Sequence, residues 1–183
     1  MELPVYMITG FLESGKTSFI LDTIQDKQFS KGQRILIIAC EEGEVEYAPD
    51  ILKAAKAEVE FIEDEEDFNP EHLNELVKKH RPTQIMLEYN GMWSLRTMAE
   101  KAPKDWIFYQ IFMFVDHSKY QVYMNNMRQL LSDNFSVADI VVFNRCEKNK
   151  VDKKSLRRSI KALNPKIDMM FEYTDGSIAQ GFQ

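Results

Sequence analysis

The chain has 183 residues, 44% of them hydrophobic and 28% charged, with a formal net charge of −6 at pH 7. That length suits one domain with a sizeable core, and 7 Gly with 6 Pro exclude collagen-like or low-complexity structure. Two cysteines, Cys40 and Cys146, exclude a disulfide framework. In chain order, β-rich apolar runs predict strands at 5–9, 34–40, 59–63, 84–89, 106–115, 139–143 and 168–173. Amphipathic stretches between them predict helices at 16–26, 50–57, 70–80, 93–101, 118–131 and 152–163. The runs from Ile35 to Ile38 and from Ile140 to Phe143 are apolar throughout, as in strands buried on both faces. The expected fold class is therefore α/β, a mostly parallel twisted sheet with helices on both faces. One domain is expected over 1–174, with 175–183 a tail or the start of a linker. No run approaches about eighteen apolar residues, so no membrane span is expected. The start, MELP, lacks the layout of a signal peptide, and a cytoplasmic location is expected.

Charge is unevenly spread. Residues 41–67 carry twelve acids against Lys53 and Lys56, and 145–161 carry eight bases against Glu147 and Asp152. The basic stretch reads as the solvated face of a helix over Leu156, Ile160 and Leu163, so no nucleic-acid partner is expected. The acidic run from Glu63 to Asp67 reads as a solvated loop, and His72 and His80 as surface residues.

The first predicted strand runs directly into GFLESGKTS, residues Gly10, Phe11, Leu12, Glu13, Ser14, Gly15, Lys16, Thr17 and Ser18. This matches GxxxxGK(S/T) in full. Glycines let the backbone curl so that successive N–H groups face phosphate oxygens, with a helix N-terminus behind them. Lys16 can then reach the outer phosphates and the Thr17 hydroxyl can ligate Mg2+. Glu13 is an unexpected acid in an anion site, and its side chain is expected to point outward.

In sheets of this kind ligands sit beyond the carboxyl ends of the strands. Glu88 ends the fourth predicted strand and can hold Mg2+, directly or through water, and the Gly91 N–H can touch a γ-phosphate. Glu41 and Glu44 follow the second strand in a candidate switch segment, with Glu41 able to enter the magnesium shell. Asn144, Arg145 and Glu147 follow a late strand in a pattern similar to the guanine-reading NKxD. There Asn144 braces a loop, the Arg145 stem lies against the base, and Glu147 accepts from guanine N–H groups. That favours GTP, with ATP left open. Asp116 either caps the turn from Ser118 or acts near the switch. Met124, Met127, Leu130 and Leu131 read as core.

The phosphate loop resembles the GFLGSGKTT opening of the CobW/HypB/UreG family of GTPases, closest to its CobW branch. CEEGEV (40–45) is similar to that branch's NEFGEV, and Glu88 to Gly91 to its ExxG segment. Phe114 to Asp116 resembles VVDA, Ala138 to Arg145 the AD-x-hydrophobic-NK segment, and Leu163 to Pro165 the family's LNP. The resemblance implies a SIMIBI-type P-loop fold, GTP and Mg2+ as cofactors, and slow hydrolysis coupled to delivering a metal or metallocofactor to a protein partner. Two departures are plain. The branch's GCxCC motif is replaced by AEVEFIED at 57–64, so no thiolate zinc site is expected, and no counterpart of the branch's carboxyl-terminal domain is expected within these residues. No glutamine or arginine finger is evident, so turnover is expected to be slow unless a partner or a nucleotide-dependent homodimer assists. The alternative is a non-hydrolysing, nucleotide-dependent module regulating a permease or metalloenzyme partner.

Overall fold

The structure, a computed structural model, describes residues 1–180. Its strands are β1 (Leu3–Gly10), β2 (Ile35–Ala39), β3 (Ala57–Phe61), β4 (Gln84–Glu88), β5 (Trp106–Asp116), β6 (Ile140–Cys146), β7 (Asp168–Tyr173) and β8 (Ile178–Gln180). The α-helices are α1 (Lys16–Gln25), α2 (Lys27–Ser30), α3 (Pro49–Ala55), α4 (Pro70–His80), α5 (Leu95–Lys101), α6 (Tyr120–Asn126), α7 (Arg128–Val137) and α8 (Lys153–Leu163). The strands form one sheet in the order β3-β2-β4-β1-β5-β6-β7-β8. Every pairing is parallel except the last, in which β8 runs antiparallel to β7.

Burial on both faces explains the continuous apolar runs. Leu36 and Ile38 join Val5 and Met7 beneath α4 and α5, whose Leu73, Leu76, Leu95 and Met98 complete that core. Ile35 and Ile37, pointing the opposite way, join Ile8 beneath Ile20 and Ile24 of α1 and Ala55 of α3. Further along the sheet, α7 and α8 bury Leu131, Phe135, Leu156 and Ile160 on Val141, Phe143, Met169 and Phe171. β1 lies between β4 and β5, because the chain goes out to β2 and β3, returns to β4, and then crosses to the other side. The carboxyl end of β1 is therefore a topological switch point, where a crevice forms without further cost to the packing.

The expected helix over 118–131 is broken. A 3-10 turn (His117–Lys119) leads into α6, and Met127 leaves the helical region at φ −136°, ψ 36° before α7 begins. The break rephases the helix. Leu131, Asn134 and Phe135 of α7 face the sheet, whereas Tyr120 and Tyr123 of α6 pack on Phe143 and Phe11. Of the four residues expected as core there, Leu131 alone is fully buried. Residues 175–180, expected as a tail, fold back instead. Gly176 takes φ +82°, Tyr173 N–H donates to the Ser177 carbonyl at 2.8 Å, and β8 pairs with β7; residues 181–183 lie outside the described residues. Leu163, expected beneath α8, is 43% exposed at that helix's last residue. Among the described residues no helix is long and apolar enough to cross a membrane.

Asn164 joins the two helices behind β6. Its Nδ2 donates to the Phe135 carbonyl at 3.1 Å and the Ala138 carbonyl at 2.9 Å, closing the end of α7 where backbone carbonyls lack helical partners. Replacing Asn164 with Ala leaves both acceptors unserved at a part-buried site and is expected to cost about 1–2 kcal/mol. Thermal unfolding should show a fall of about 2–8 °C at this chain length; an unchanged midpoint would contradict the tie.

Candidate functional site

The loop between β1 and α1 crosses the switch point. Gly15 stands at the α1 N-cap with φ +99°, a backbone state that costs an L residue dearly. Among the described residues no side chain caps this helix, so the N–H groups of its first turn are available to meet an anion. Lys16 folds back across the loop. Its ammonium is buried, donates to the Gly10 carbonyl and to the Phe11 carbonyl at 3.2 Å, and is ion-paired with Glu41. Glu13, Ser14, Thr17, Gly43, Glu88 and Arg145 are among the walls of the cleft around it. Within the loop the Ser14 hydroxyl is buried without a hydrogen-bond partner among the described residues.

Glu88 reaches the same place from the end of β4. Its Oε1 accepts from the Thr17 hydroxyl at 2.7 Å and its Oε2 from the Tyr47 hydroxyl. The parallel register Ile8–Glu88 sets this meeting by placing Glu88 beside the carboxyl end of β1. Burial, the largest influence, raises the Glu88 carboxyl above its ordinary range; the Tyr47 and Thr17 hydroxyls and the Lys16 charge only partly offset it. Gly91 packs directly on the loop, and a Cβ there would stand 2.2 Å from the Gly10 carbonyl oxygen. Tyr47 had no motif to mark it in the sequence. Only the packing of the 41–47 segment over Thr17 brings its hydroxyl to Glu88.

The base-reading candidates divide. Asn144, buried at the end of β6, donates through Nδ2 to the Ser14 carbonyl and so braces the phosphate loop itself. Arg145, at φ +51°, sends Nη1 to the Glu13 carbonyl and to Asp116, each at 2.8 Å. Asp116 also accepts from the Ser118 N–H and hydroxyl, so it caps the following turn and holds Arg145 at once. Burial alone would raise the Asp116 carboxyl, but Ser118 and the Arg145 guanidinium outweigh it and hold it below the usual range. Glu147 is exposed, pairs with Lys150 at 2.7 Å, and is not brought to the cleft. Glu44 and Glu13 are joined instead: Glu13 Oε1 accepts the Glu44 N–H at 3.0 Å, so Glu13 points at the switch segment rather than outward. Elsewhere, Glu65 of the acidic run pairs with Lys101. His80, expected at the surface, has a side chain only 10% exposed, between Glu58 and Glu60 of β3.

The model of the CobW/HypB/UreG nucleotide-binding domain matches residues 4–171. This chain belongs to the CobW/HypB/UreG family. A zinc chaperone CobW from a Sinorhizobium species is 31% identical over 105 residues, a match covering 50% of this chain and 28% of that protein. The chain thus spans about a quarter of that curated relative's length. Among solved structures, the hydrogenase maturation factor HypB of Archaeoglobus fulgidus superposes with a TM-score of 0.63 at 19% identity, covering 95% of this chain and 82% of that one. HypB from Helicobacter pylori, solved in complex with nickel, gives 0.62 at 12% identity over 94% and 80%. FlhF complexed with GMPPNP and Mg2+ gives 0.56 at 15% identity over 98% and 70%. These likenesses show the fold, a mostly parallel P-loop sheet with helices.

The stretch at 57–64 includes β3, whose Val59 and Phe61 line a groove beside Tyr47. Burial pushes the Cys40 thiol far above its ordinary range and the Cys146 thiol up to about 11, so both stay protonated at neutral pH. Among the described residues no group of three or more His, Cys, Asp and Glu is placed to hold a metal ion.

A carboxyl raised by burial lowers the stability of the fold once it ionises. That penalty is absent below the unfolded-state value, grows as pH rises toward the folded-state value, and is complete above it. Glu88→Gln is therefore expected to raise the ligand-free unfolding midpoint at pH 8 by about 2–4 °C, equivalent to about 1 kcal/mol. The gain should vanish below about pH 4. A midpoint lowered at pH 8 would contradict the assignment.

Proposed function

We propose that the chain binds a nucleoside triphosphate with Mg2+, GTP ahead of ATP, and hydrolyses it slowly as a switch. One observation carries the reading: a buried lysine ammonium, a threonine hydroxyl and a buried carboxylate converge under free helix amides at the carboxyl ends of β1 and β4. The amides and Lys16 would grip the β- and γ-phosphate oxygens. Ser14 Oγ, buried and unpaired, is a further donor toward them. The donor set also fits Mg2+. Thr17 and Glu88 offer hard oxygens, and this ion needs only one or two protein ligands beside phosphate and water. Held there, the ion would neutralise charge on the phosphate oxygens. Attack of water on the γ-phosphorus forms a new P–O bond as the bond to the bridging oxygen breaks; the water's proton leaves to the released phosphate or to solvent, and the charge that develops on the bridging oxygen falls to Lys16 and the loop amides.

Slow turnover follows from what the cleft contains. Among the described residues lining it there is no glutamine, and its one arginine, Arg145, is engaged by Asp116 and the Glu13 carbonyl. We place single-turnover hydrolysis below about 0.01 s⁻¹, in the range of unassisted GTPases. Guanine preference is assigned to the Glu147 carboxylate, which would turn away from Lys150 to accept from guanine N–H groups, with Asn144 and Arg145 bracing the loop. Delivery of a metal to a metalloprotein or transporter is the role that family membership suggests, and buried, protonated Cys40 and Cys146 favour a cargo site without thiolates.

Calorimetric titration with GTP, GDP and ATP, with and without Mg2+, tests the binding claim, and quench-flow measures the hydrolysis. Tighter binding of the guanine nucleotides together with slow phosphate release is expected. ATP binding more tightly would remove the base-reading assignment. No phosphate release over hours would favour the non-hydrolysing regulatory module.

A further inference from the structure

The segment 41–47 touches the walls of the nucleotide site at three points. Glu41 holds the Lys16 ammonium, Glu44 donates its N–H to Glu13 at 3.0 Å, and the Tyr47 hydroxyl donates to Glu88. Two of the ammonium's N–H donors go to the Gly10 and Phe11 carbonyls of the loop itself, and its charge is paired with Glu41. A phosphate approaching Lys16 competes with that carboxylate for the same charge, and Glu41 is the one partner carried on a separate segment.

Glu13 supplies an independent sign that the contact has a role. It sits at φ +60°, in the left-handed region, where a side chain costs about 1–2 kcal/mol that glycine would not incur. It is also a negative charge in a cradle built for anions. Both costs make sense if the carboxylate holds something. What it holds is the Gly43–Glu44 backbone, packed so closely that a Cβ on Gly43 would stand 3.3 Å from Glu13 Oε1.

We infer that residues 41–47 form a strap latched across the phosphate cradle by Glu13 and Tyr47, and that a polyphosphate must unlatch it to bind. This deepens the nucleotide-binding reading and rests on it. Glu41 acts in the closed state as an internal anion on Lys16. An incoming triphosphate competes for that ammonium and repels both carboxylates, so occupancy of the site becomes freedom of the strap. Glu13 and Tyr47 are positioning residues in this scheme, acting through the segment they hold.

Amide exchange by NMR on the full chain reads the latch without any ligand. In nucleotide-free protein the Glu44 amide should exchange about tenfold or more faster in Glu13→Gly than in wild type, the scale of one charge-assisted hydrogen bond. Glu13→Gly also relieves the positive φ, so loss of fold is not a confounder. Glu13→Gln keeps an acceptor oxygen and should stay between the two, whereas simple charge repulsion would make it match Glu13→Gly in stopped-flow GTP association. That association should be faster in Glu13→Gly and in Tyr47→Phe. Saturating GTP with Mg2+ should bring wild-type Glu44 exchange to the Glu13→Gly level. Equal exchange in nucleotide-free wild type and Glu13→Gly overturns the latch, whether or not the chain binds GTP. Glu44 protection that persists in the GTP complex overturns the displacement. Absence of nucleotide binding sinks the proposed function, while the ligand-free comparison still decides the latch.

Discussion

A lysine ammonium with almost no solvent contact, at the carboxyl end of the central strand, is the constraint around which the rest is arranged. A buried positive charge is tolerable only if it is paired and hydrogen-bonded. Lys16 meets that condition with two loop carbonyls and Glu41. The switch-point topology places β4 beside β1, and thereby Glu88 beside Thr17. Asn144 and Arg145 tie the far side of the same loop to β6, and Gly91 closes it from behind β4. The loop is thus held from both sides of the sheet, so its amides are organised before any ligand arrives, which is what electrostatic preorganisation requires.

The site also keeps charge where the fold would rather have none. Glu88 is buried, and its carboxyl resists ionisation despite two hydroxyl donors. Glu41 and Glu13 add further carboxylates to the same cleft. Such an excess of acids around one ammonium is ill suited to an inert core and well suited to a site that exchanges partners. Cations and polyphosphates would each relieve part of the imbalance. Stability held back in this way is the usual mark of a functional site.

Much of this was legible in the sequence because the signals were local and physical. Continuous apolar runs gave the two-sided strands, and the glycine-lysine loop followed by an amphipathic helix located the cradle. Glu88 was legible as an acid ending a buried strand. The misses have a common cause: they depend on contacts across space. Met127 breaks its helix because α6 and α7 face different neighbours, which a single helical period over 118–131 hides. Residues 175–180 read as a linker because the pairing of β8 with β7 lies outside any local pattern. Tyr47 carries no motif, and the true direction of Glu13 depends on a segment thirty-one residues away. Glu147 was assigned by its spacing from Asn144, and its pairing with Lys150 is a contact that the spacing does not reveal.

The central claim is that the Lys16 ammonium is the charge a polyphosphate seeks. Replacing Lys16 with Ala and titrating the protein with GTP and Mg2+ tests it most directly. The account predicts a loss of affinity of about a hundredfold or more, as expected when one partner of a buried charged contact is removed, with the fold retained by circular dichroism. A folded Lys16→Ala protein that binds GTP as tightly as the native chain would contradict it.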